Sequence, residues 1–477
     1  MNGFISKSYD FKAEAMDLFN LFHGEPYLFF LDSSLKHPCY GRYSILGFDP
    51  FDLFVSDETD LLSSLKEKFS LFKSERWQEE APFGAGIAGF LGYDHGLYLE
   101  NIPLLSQDDL CLPHCVFGFY DCVMTIDHFT GKLIITSSGL PEKKGHYRKL
   151  RAMERLKWVE DRIKCYVLNG SDSKESGDGV FAAAEELPLK CNFTKEGYLA
   201  ALRKALDHIQ AGDIYQVNLS QRFALEIGSS GLDPMNIYKS LRSVSPSSFA
   251  GYMDCGDFQI ISSSPESFLR LNNRQVQTRP MKGTRPRGAS KVDDDRLKEE
   301  MMASQKEIAE LLMITDLERN DLGRVCEYGT VKVRQMRSIE QYQTVFQATS
   351  TVEGLLRKDQ DCFDLLRACF PGGSVTGCPK IRAMEIIERL EPTRRAMYTG
   401  SMGYIDFCGD MDWNILIRTL LATDDQLYFQ VGSGIVADSI PEDEYEETLI
   451  KARAIRMCLK NEVSKVYRGQ PQTSSSR

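Results

Sequence analysis

Glu307 and Glu310 stand one helical turn apart in Gln305–Leu317, a stretch whose Ile308, Leu311, Leu312 and Thr315 fall on a buried-type stripe. A second stretch, Glu442–Leu459, repeats the spacing with Glu444 and Glu447 and adds Lys451 a turn later. Two such carboxylate pairs, brought together from different helices, offer hard oxygen donors. Magnesium typically takes one or two protein carboxylates and leaves positions for water and an anionic substrate. The same spacing equally describes two solvated helix faces, so the pairs alone do not define a metal site.

Two glycine-rich segments could present backbone amides to a carboxylate: Gly432-Ser433-Gly434 after a strand, and Pro371–Gly377 ahead of a helical pattern that starts near Lys380. Each is also consistent with a plain sharp corner, and neither has the spacing of a nucleotide P-loop. Lys282, in Pro280–Arg285, lies between a strand end and Gly283, a position from which an amine can project into a cleft. Glu266 closes the run Ser262–Glu266 at the end of another strand, where a helix N-terminal acid would also fit.

These residues need elements to hold them. Ile87–Tyr93, Phe117–Ile126 and Lys132–Ser137 read as strands, with Asp127–Gly131 as a hairpin loop, and Glu142–Val167 as a charged helix. The polar Gly/Ser-rich stretch from Asn169 to Gly179 cannot build a core and marks a boundary. The expected division is an N-terminal region over 1–168, a linker over 169–192, a second region over 193–462 and a frayed tail over 463–477. In the second region helices are expected at Lys195–Gln210, Asp293–Leu317, Lys380–Leu390 and Glu442–Leu459. Strands are expected at Phe258–Ser262, Arg274–Thr278, Thr330–Gln335, Gly400–Asp406, Trp413–Leu421 and Leu427–Val431. Short polar loops between consecutive strands favour antiparallel meanders, hence an α+β fold with large antiparallel sheets.

Composition narrows the function class. The 477 residues carry 42% hydrophobic side chains and a formal charge of −11, which suits a large globular core and gives no electrostatic footprint for nucleic acid or an anionic membrane. The 13 cysteines lack paired metal spacing, and no run approaches a membrane span. Met1–Lys12 lacks the charged and apolar regions of a signal peptide, so a cytoplasmic location with reduced thiols is expected.

Taken together, Gly212–Leu219, Ser262–Glu266, Pro280–Thr284, Met313–Val325, Phe370–Glu385, Glu391–Arg395 and Gly432–Ala452 resemble the chorismate-utilising enzymes. That family includes anthranilate synthase and aminodeoxychorismate synthase large subunits and isochorismate and salicylate synthases. The segments occur in family order, and Gly41–Gly47 and Gly89–Tyr93 resemble its N-terminal part. The resemblance implies two large antiparallel sheets packed orthogonally with helices outside, as in anthranilate synthase component I. It implies Mg2+ on Glu310 and Glu447, with Glu307 and Glu444 supporting it through water. Chorismate would be contacted by Gln216, Gly283, Thr284, Ser374, Tyr398, Arg418, Gly432, Ser433, Gly434 and Lys451, where Arg418 and Lys451 suit a dianion.

Within the family, the resemblance makes Lys282, Gln216 and Gln347 the discriminating positions. Isochorismate and salicylate synthases carry a water-activating lysine where Gln216 stands, and anthranilate synthases an alanine where Lys282 stands. Many members carry a histidine where Gln347 stands, and glutamine cannot titrate. Pro-Met-Lys-Gly-Thr at 280–284 thus resembles the lysine-bearing motif of C4-aminating members, with Lys282 as nucleophile and Glu266 as general acid. Arg285 and Arg287 are expected to help keep Lys282 unprotonated. The chain shows no glutaminase nucleophile turn, so ammonia is expected from a separate glutamine amidotransferase subunit. Leu31-Asp32-Ser33-Ser34 differs from the stretch with which regulated relatives bind tryptophan, so feedback control is not expected. Anthranilate formation, or a noncatalytic binding role, are the competing expectations.

Overall fold

Apolar residues in the strands alternate between two destinations, and that alternation sets the layers. In Gly86–Leu91, Ile87 and Leu91 enter one core while Ala88 and Phe90 enter another; in Cys122–Asp127, Val123 faces opposite to Cys122 and Met124. With both faces buried, these strands read as continuous apolar runs. The computed structural model describes residues 4–37, 40–76, 81–169, 187–228, 232–288, 290–341 and 345–469, without the side chains of 166–169, 284, 286 and 467–469.

The fold is α+β, built on a twelve-stranded and a ten-stranded antiparallel sheet with eleven helices among the described residues. Phe29, Ile45, Val123, Ile260 and Leu421 of the larger sheet meet Ala88, Phe90, Val116 and Met402 of the smaller in the core between them. Helices cover the outer faces: Ala15–Phe22, Pro234–Val244 and Pro441–Gly469 pack on the larger sheet, and Leu61–Ser70 and Cys362–Cys369 on the smaller.

Both sheets draw strands from both sides of the expected boundary. In the larger, Phe29–Asp32 pairs with Phe249–Asp254; in the smaller, Gly86–Leu91 pairs with Ser401–Asp406. The stretch 170–186 lies outside the described residues, as does 470–477, whereas the last helix runs on to Gly469.

Four short connections carry the chain directly from one sheet to the other, Tyr43–Gly47 into Asp52–Ser56 among them, a device of orthogonally packed sheets. Cys115–Tyr120 passes into Cys122–Asp127, Gln259–Ser264 into Ser267–Asn272, and Met411–Asn414 into Thr419–Ala422. The runs Phe117–Ile126 and Trp413–Leu421, expected as single strands, are therefore each two strands in different sheets. No glycine or proline stands at either bend. The expected helix Asp293–Leu317 is likewise two, Lys291–Ala303 and Gln305–Gly323, divided at Ser304, whose hydroxyl caps the second through the Glu307 amide.

Candidate active site

Two of the corners are zipped together, and their side chains open the site. The Ser263 amide donates to the Arg418 carbonyl at 3.1 Å, the Ile415 amide to the Glu266 carbonyl at 3.1 Å, and Ser262 and Thr419 share a hydroxyl contact at 2.8 Å. Glu266 thus sits in a corner, not at a helix start. It is 4% exposed and one carboxyl oxygen has no hydrogen-bond partner. Burial raises its pKa, against the opposing pull of Ser374 and Lys282. The Ser374 hydroxyl is close enough to favour the ionised form without an aligned hydrogen bond. Arg418 occupies the other corner with φ 50°, and among the described residues its guanidinium has no carboxylate partner. Burial lowers its pKa.

Lys282 lies within the strand Met281–Pro286, not beyond a strand end. Met281 pairs with Thr349 and Thr284 with Gln347, so one extra residue is inserted at Lys282-Gly283, a bulge that re-aims a side chain. Gly283 makes the bulge possible: its φ is +87°, and a Cβ there would stand 2.7 Å from a Glu307 oxygen. Lys282 is half-buried by area, yet its ammonium end is surrounded by protein. Nζ lies 3.4 Å from the Ser374 carbonyl. Burial is the main force lowering its pKa, opposed by Glu310 and assisted by Lys451. Arg285 and Arg287, expected to supply that positive charge, are engaged elsewhere, with Glu307 at 2.7 Å and with Asp294. Lys451 takes their place.

Gly432, Ser433 and Gly434 are the late part of the strand Gln426–Ile435, paired with Ser220, Leu219 and Asn218, and not a turn after it. Their smallness is a matter of close approach. A Cβ on Gly434 would stand 2.8 Å from Gln216 Nε2 and 3.5 Å from Lys282 Nζ, so these three residues converge. Gln216 is fully buried with both amide atoms unpartnered, and the buried Ser433 hydroxyl is unpartnered too. Buried polar groups left open in this way suit a polar ligand. Ser374 is held in the turn Gly373–Val375, and Tyr398 is buried beneath the Arg395 guanidinium, 5.7 Å from its ring centre. The Thr284 side chain lies outside the described residues.

The four glutamates come from the two expected helices. Glu310 is raised by burial and further by Glu447 and Glu444, which places the three carboxylates in mutual range. Three of the four have an ion-pair partner: Glu307 has Arg285 and Arg337, Glu444 has Lys306 at 3.6 Å, and Glu447 has Lys451 at 2.7 Å. Lys306, which the spacing did not single out, lies within reach of Glu310, Glu444 and Glu447. Among the described residues no three carboxylates converge as ion ligands. The donor chemistry nonetheless fits a hard divalent ion, since it is all carboxylate oxygen and Glu307 keeps one oxygen without a hydrogen bond. Lys306 and Lys451 would have to give way.

The model of the chorismate binding enzymes matches residues 29–457. This chain belongs to that family. It is therefore an enzyme of the chorismate-utilising class. It is 39% identical over 435 residues to aminodeoxychorismate synthase component 1 of Bacillus subtilis, covering 88% of this chain and 89% of that one. It is 43% identical over 382 residues to anthranilate synthase component 1 of Thermus thermophilus, covering 80% and 79%. Among solved structures, anthranilate synthase component I from Streptococcus pneumoniae superposes with a TM-score of 0.75 at 32% identity, over 88% of this chain and 93% of that one. Among the described residues no helix is long and apolar enough to cross a membrane. The Leu31–Ser33 stretch lines a different pocket, and Asp32 there is bound by Arg242 at 2.6 Å, Tyr238 at 3.0 Å and Ser44 at 2.8 Å.

Glu318 and Asp321, both buried, lie in the Met313–Val325 segment and are further candidates that the resemblance does not assign. Their signal was available: with Glu307, Glu310 and Ile314 they form one stripe along the helix at intervals of three and four.

Proposed function

We propose that this chain replaces the C4 hydroxyl of chorismate with an amino group, forming 4-amino-4-deoxychorismate, a precursor of 4-aminobenzoate in folate synthesis. The observation that carries this reading is the convergence of Lys282, with its depressed pKa, on Glu266, whose carboxyl is held up by burial. A neutral amine beside a protonated acid is what a displacement of hydroxide needs. The Lys282 nitrogen bonds to C2, the ring double bonds shift, and the C4–O bond breaks as Glu266 protonates the departing oxygen, releasing water. Ammonia then bonds to C4, the double bonds shift back, and the C2–N bond breaks to return Lys282. The ammonium formed at C4 loses its extra proton.

Gln216 offers an amide near Lys282, which cannot serve as a base for water. Arg418 and Lys451 bind the substrate carboxylates, and the Tyr398, Ser374, Gly283, Thr284 and Gly432–Gly434 positions shape the ring site. Mg2+, held by Glu310 and Glu447 with Glu307 and Glu444 behind, would neutralise a substrate carboxylate when bound. A separate amidotransferase subunit supplies the ammonia, in keeping with the component 1 names of the relatives.

The 43% identity to an anthranilate synthase component favours the alternative product. The test is to incubate the purified chain with chorismate, Mg2+ and ammonium and identify the product by mass. 4-Amino-4-deoxychorismate is expected, and Lys282→Ala should abolish it or shift it towards anthranilate. Anthranilate with pyruvate from the unaltered chain would overturn the proposal.

A further inference from the structure

The helix Gln305–Gly323 carries more acid than an ion site uses. Behind Glu307 and Glu310, its stripe continues into Glu318 and Asp321, each 6% exposed. Asp321 is neutralised by the buried Lys380 ammonium at 2.6 Å, which also donates to the Cys369 carbonyl at 2.7 Å. Glu318 is faced by Glu266 from the corner, Thr278 from the strand Gln275–Thr278, Asp321 from its own helix and Lys380 from Lys380–Leu390. The one cation in that set is already paired. An ionised Glu318 would therefore be an uncompensated buried charge.

Hydrogen bonding gives the same answer independently. The Thr278 hydroxyl lies 2.7 Å from the Phe268 carbonyl and 2.8 Å from Glu318 Oε2. A hydroxyl has one proton, and a carbonyl only accepts. With that proton given to Glu318, the Phe268 contact holds no proton; with it given to Phe268, the Glu318 contact is filled when the carboxyl is protonated and donates to Thr278, the one arrangement that satisfies both. Burial, with Glu266 and Asp321 adding to it and against the pull of Thr278 and Lys380, holds the Glu318 carboxyl up to about 8.

We propose that Glu318 is the proton store behind Glu266, recharging it after each turnover and refilling from water at the Asp321–Lys380 pair. That pair lines an open pocket with Tyr215, Asp316, Asn320 and Arg324, so the buried stripe leads from the reacting centre to solvent. In the step, the O–H bond of Glu318 breaks and one forms on the Glu266 carboxylate, the proton passing through water because no hydrogen bond joins the two carboxyls among the described residues, and pocket water returns a proton to Glu318. The inference rests on Glu266 acting as the acid of the proposed reaction.

The variant Glu318→Gln keeps shape and a donor to Thr278 but has no proton to give. Expected are an unchanged KM for chorismate, a kcat at least about tenfold lower, and recovery of kcat with rising imidazole buffer at fixed pH, which leaves the unaltered chain unaffected. A kcat within twofold of the unaltered chain from pH 6 to 9, or a loss that buffer does not restore, overturns the store. Infrared titration of Glu266→Gln supplies a readout that needs no turnover. A buried protonated carboxyl band that is missing when Glu318→Gln is added should persist at neutral pH and disappear as pH rises, at a midpoint drawn down from about 8 by the loss of the Glu266 charge, and its absence also overturns the proposal. If the unaltered chain consumes no chorismate, the proposed function fails while the infrared result still decides the state of Glu318. Formation of anthranilate would overturn the product alone.

Discussion

Replacing Gly434 with alanine separates the reacting space from the scaffold. The new methyl would stand 2.8 Å from Gln216 Nε2, a contact too close to keep, but Gln216 has no hydrogen bonds to lose and its amide end can swing aside. At 3.5 Å the methyl only touches Lys282 Nζ. The fold should therefore be unharmed, and the cost falls on the substrate that must share the space. Overpacking of this size costs about 1–3 kcal/mol, which is roughly a 5- to 150-fold loss in kcat/KM for chorismate. Gly432→Ala provides the contrast. Its methyl meets the Leu219 carbonyl at 2.8 Å and Ser220 Cβ at 3.0 Å, neither of which can rotate away from the paired strand. The same penalty should there appear as lost stability. Steady-state kinetics and urea unfolding of both variants test the pair. A Gly434→Ala kcat/KM within twofold of the unaltered chain, or a stability loss matching that of Gly432→Ala, would refute the reasoning.

Other outcomes follow from the same contacts. The pH profile of kcat should be bell-shaped: activity rises as pH passes the lowered pKa of Lys282 and falls as it passes the raised pKa of Glu266, and Glu266→Gln should remove the donor and reduce kcat by at least about 100-fold. A folded-state carboxyl held up to about 8 at Glu318 keeps a proton that the unfolded chain loses near 4.5, so stability should decline between those values as pH rises, by up to about 1.4 kcal/mol per unit from this group; Glu318→Gln should flatten that decline in urea midpoints at pH 6 and 8. Arg395→Met strands the buried Glu391, its partner at 2.7 Å, and should cost about 3–5 kcal/mol in urea unfolding. Glu310→Gln and Glu447→Gln should each weaken Mg2+ activation by at least about tenfold, measured as the metal concentration giving half-maximal rate.

The sequence made the layer type legible because alternating strands and short polar loops leave few alternatives to large antiparallel sheets. It hid the corners. Phe117–Ile126 and Trp413–Leu421 bend between sheets with no glycine or proline at the bend, since both sides of each bend are buried and apolar; Asp121 and Arg418 mark the places only in retrospect. The candidate side chains came from the resemblance to the family, since spacing alone left each of them an ordinary surface or corner reading, and their settings were not legible at all. Lys282 was expected beside Arg285 and Arg287, whose charges are taken up by acids their own neighbourhood supplies, Glu307 and Asp294. The helix stripe places Glu318 on the face of Glu307 and Glu310, but its neighbours Thr278 and Lys380 are distant in sequence and only the fold brings them together.

The sharing of both sheets across the chain bears on how the protein is made. Asp32 finds its partner Ala250 about 220 residues later, and Gly86 waits for Asp406. At ribosomal speeds the first of these intervals is on the order of ten to forty seconds. Through it the early strands present unpaired edges, the surfaces on which chains join one another. A fragment ending near residue 190 should therefore be collected as aggregate, while two fragments divided at the 170–186 stretch and expressed together should reassemble into one working molecule.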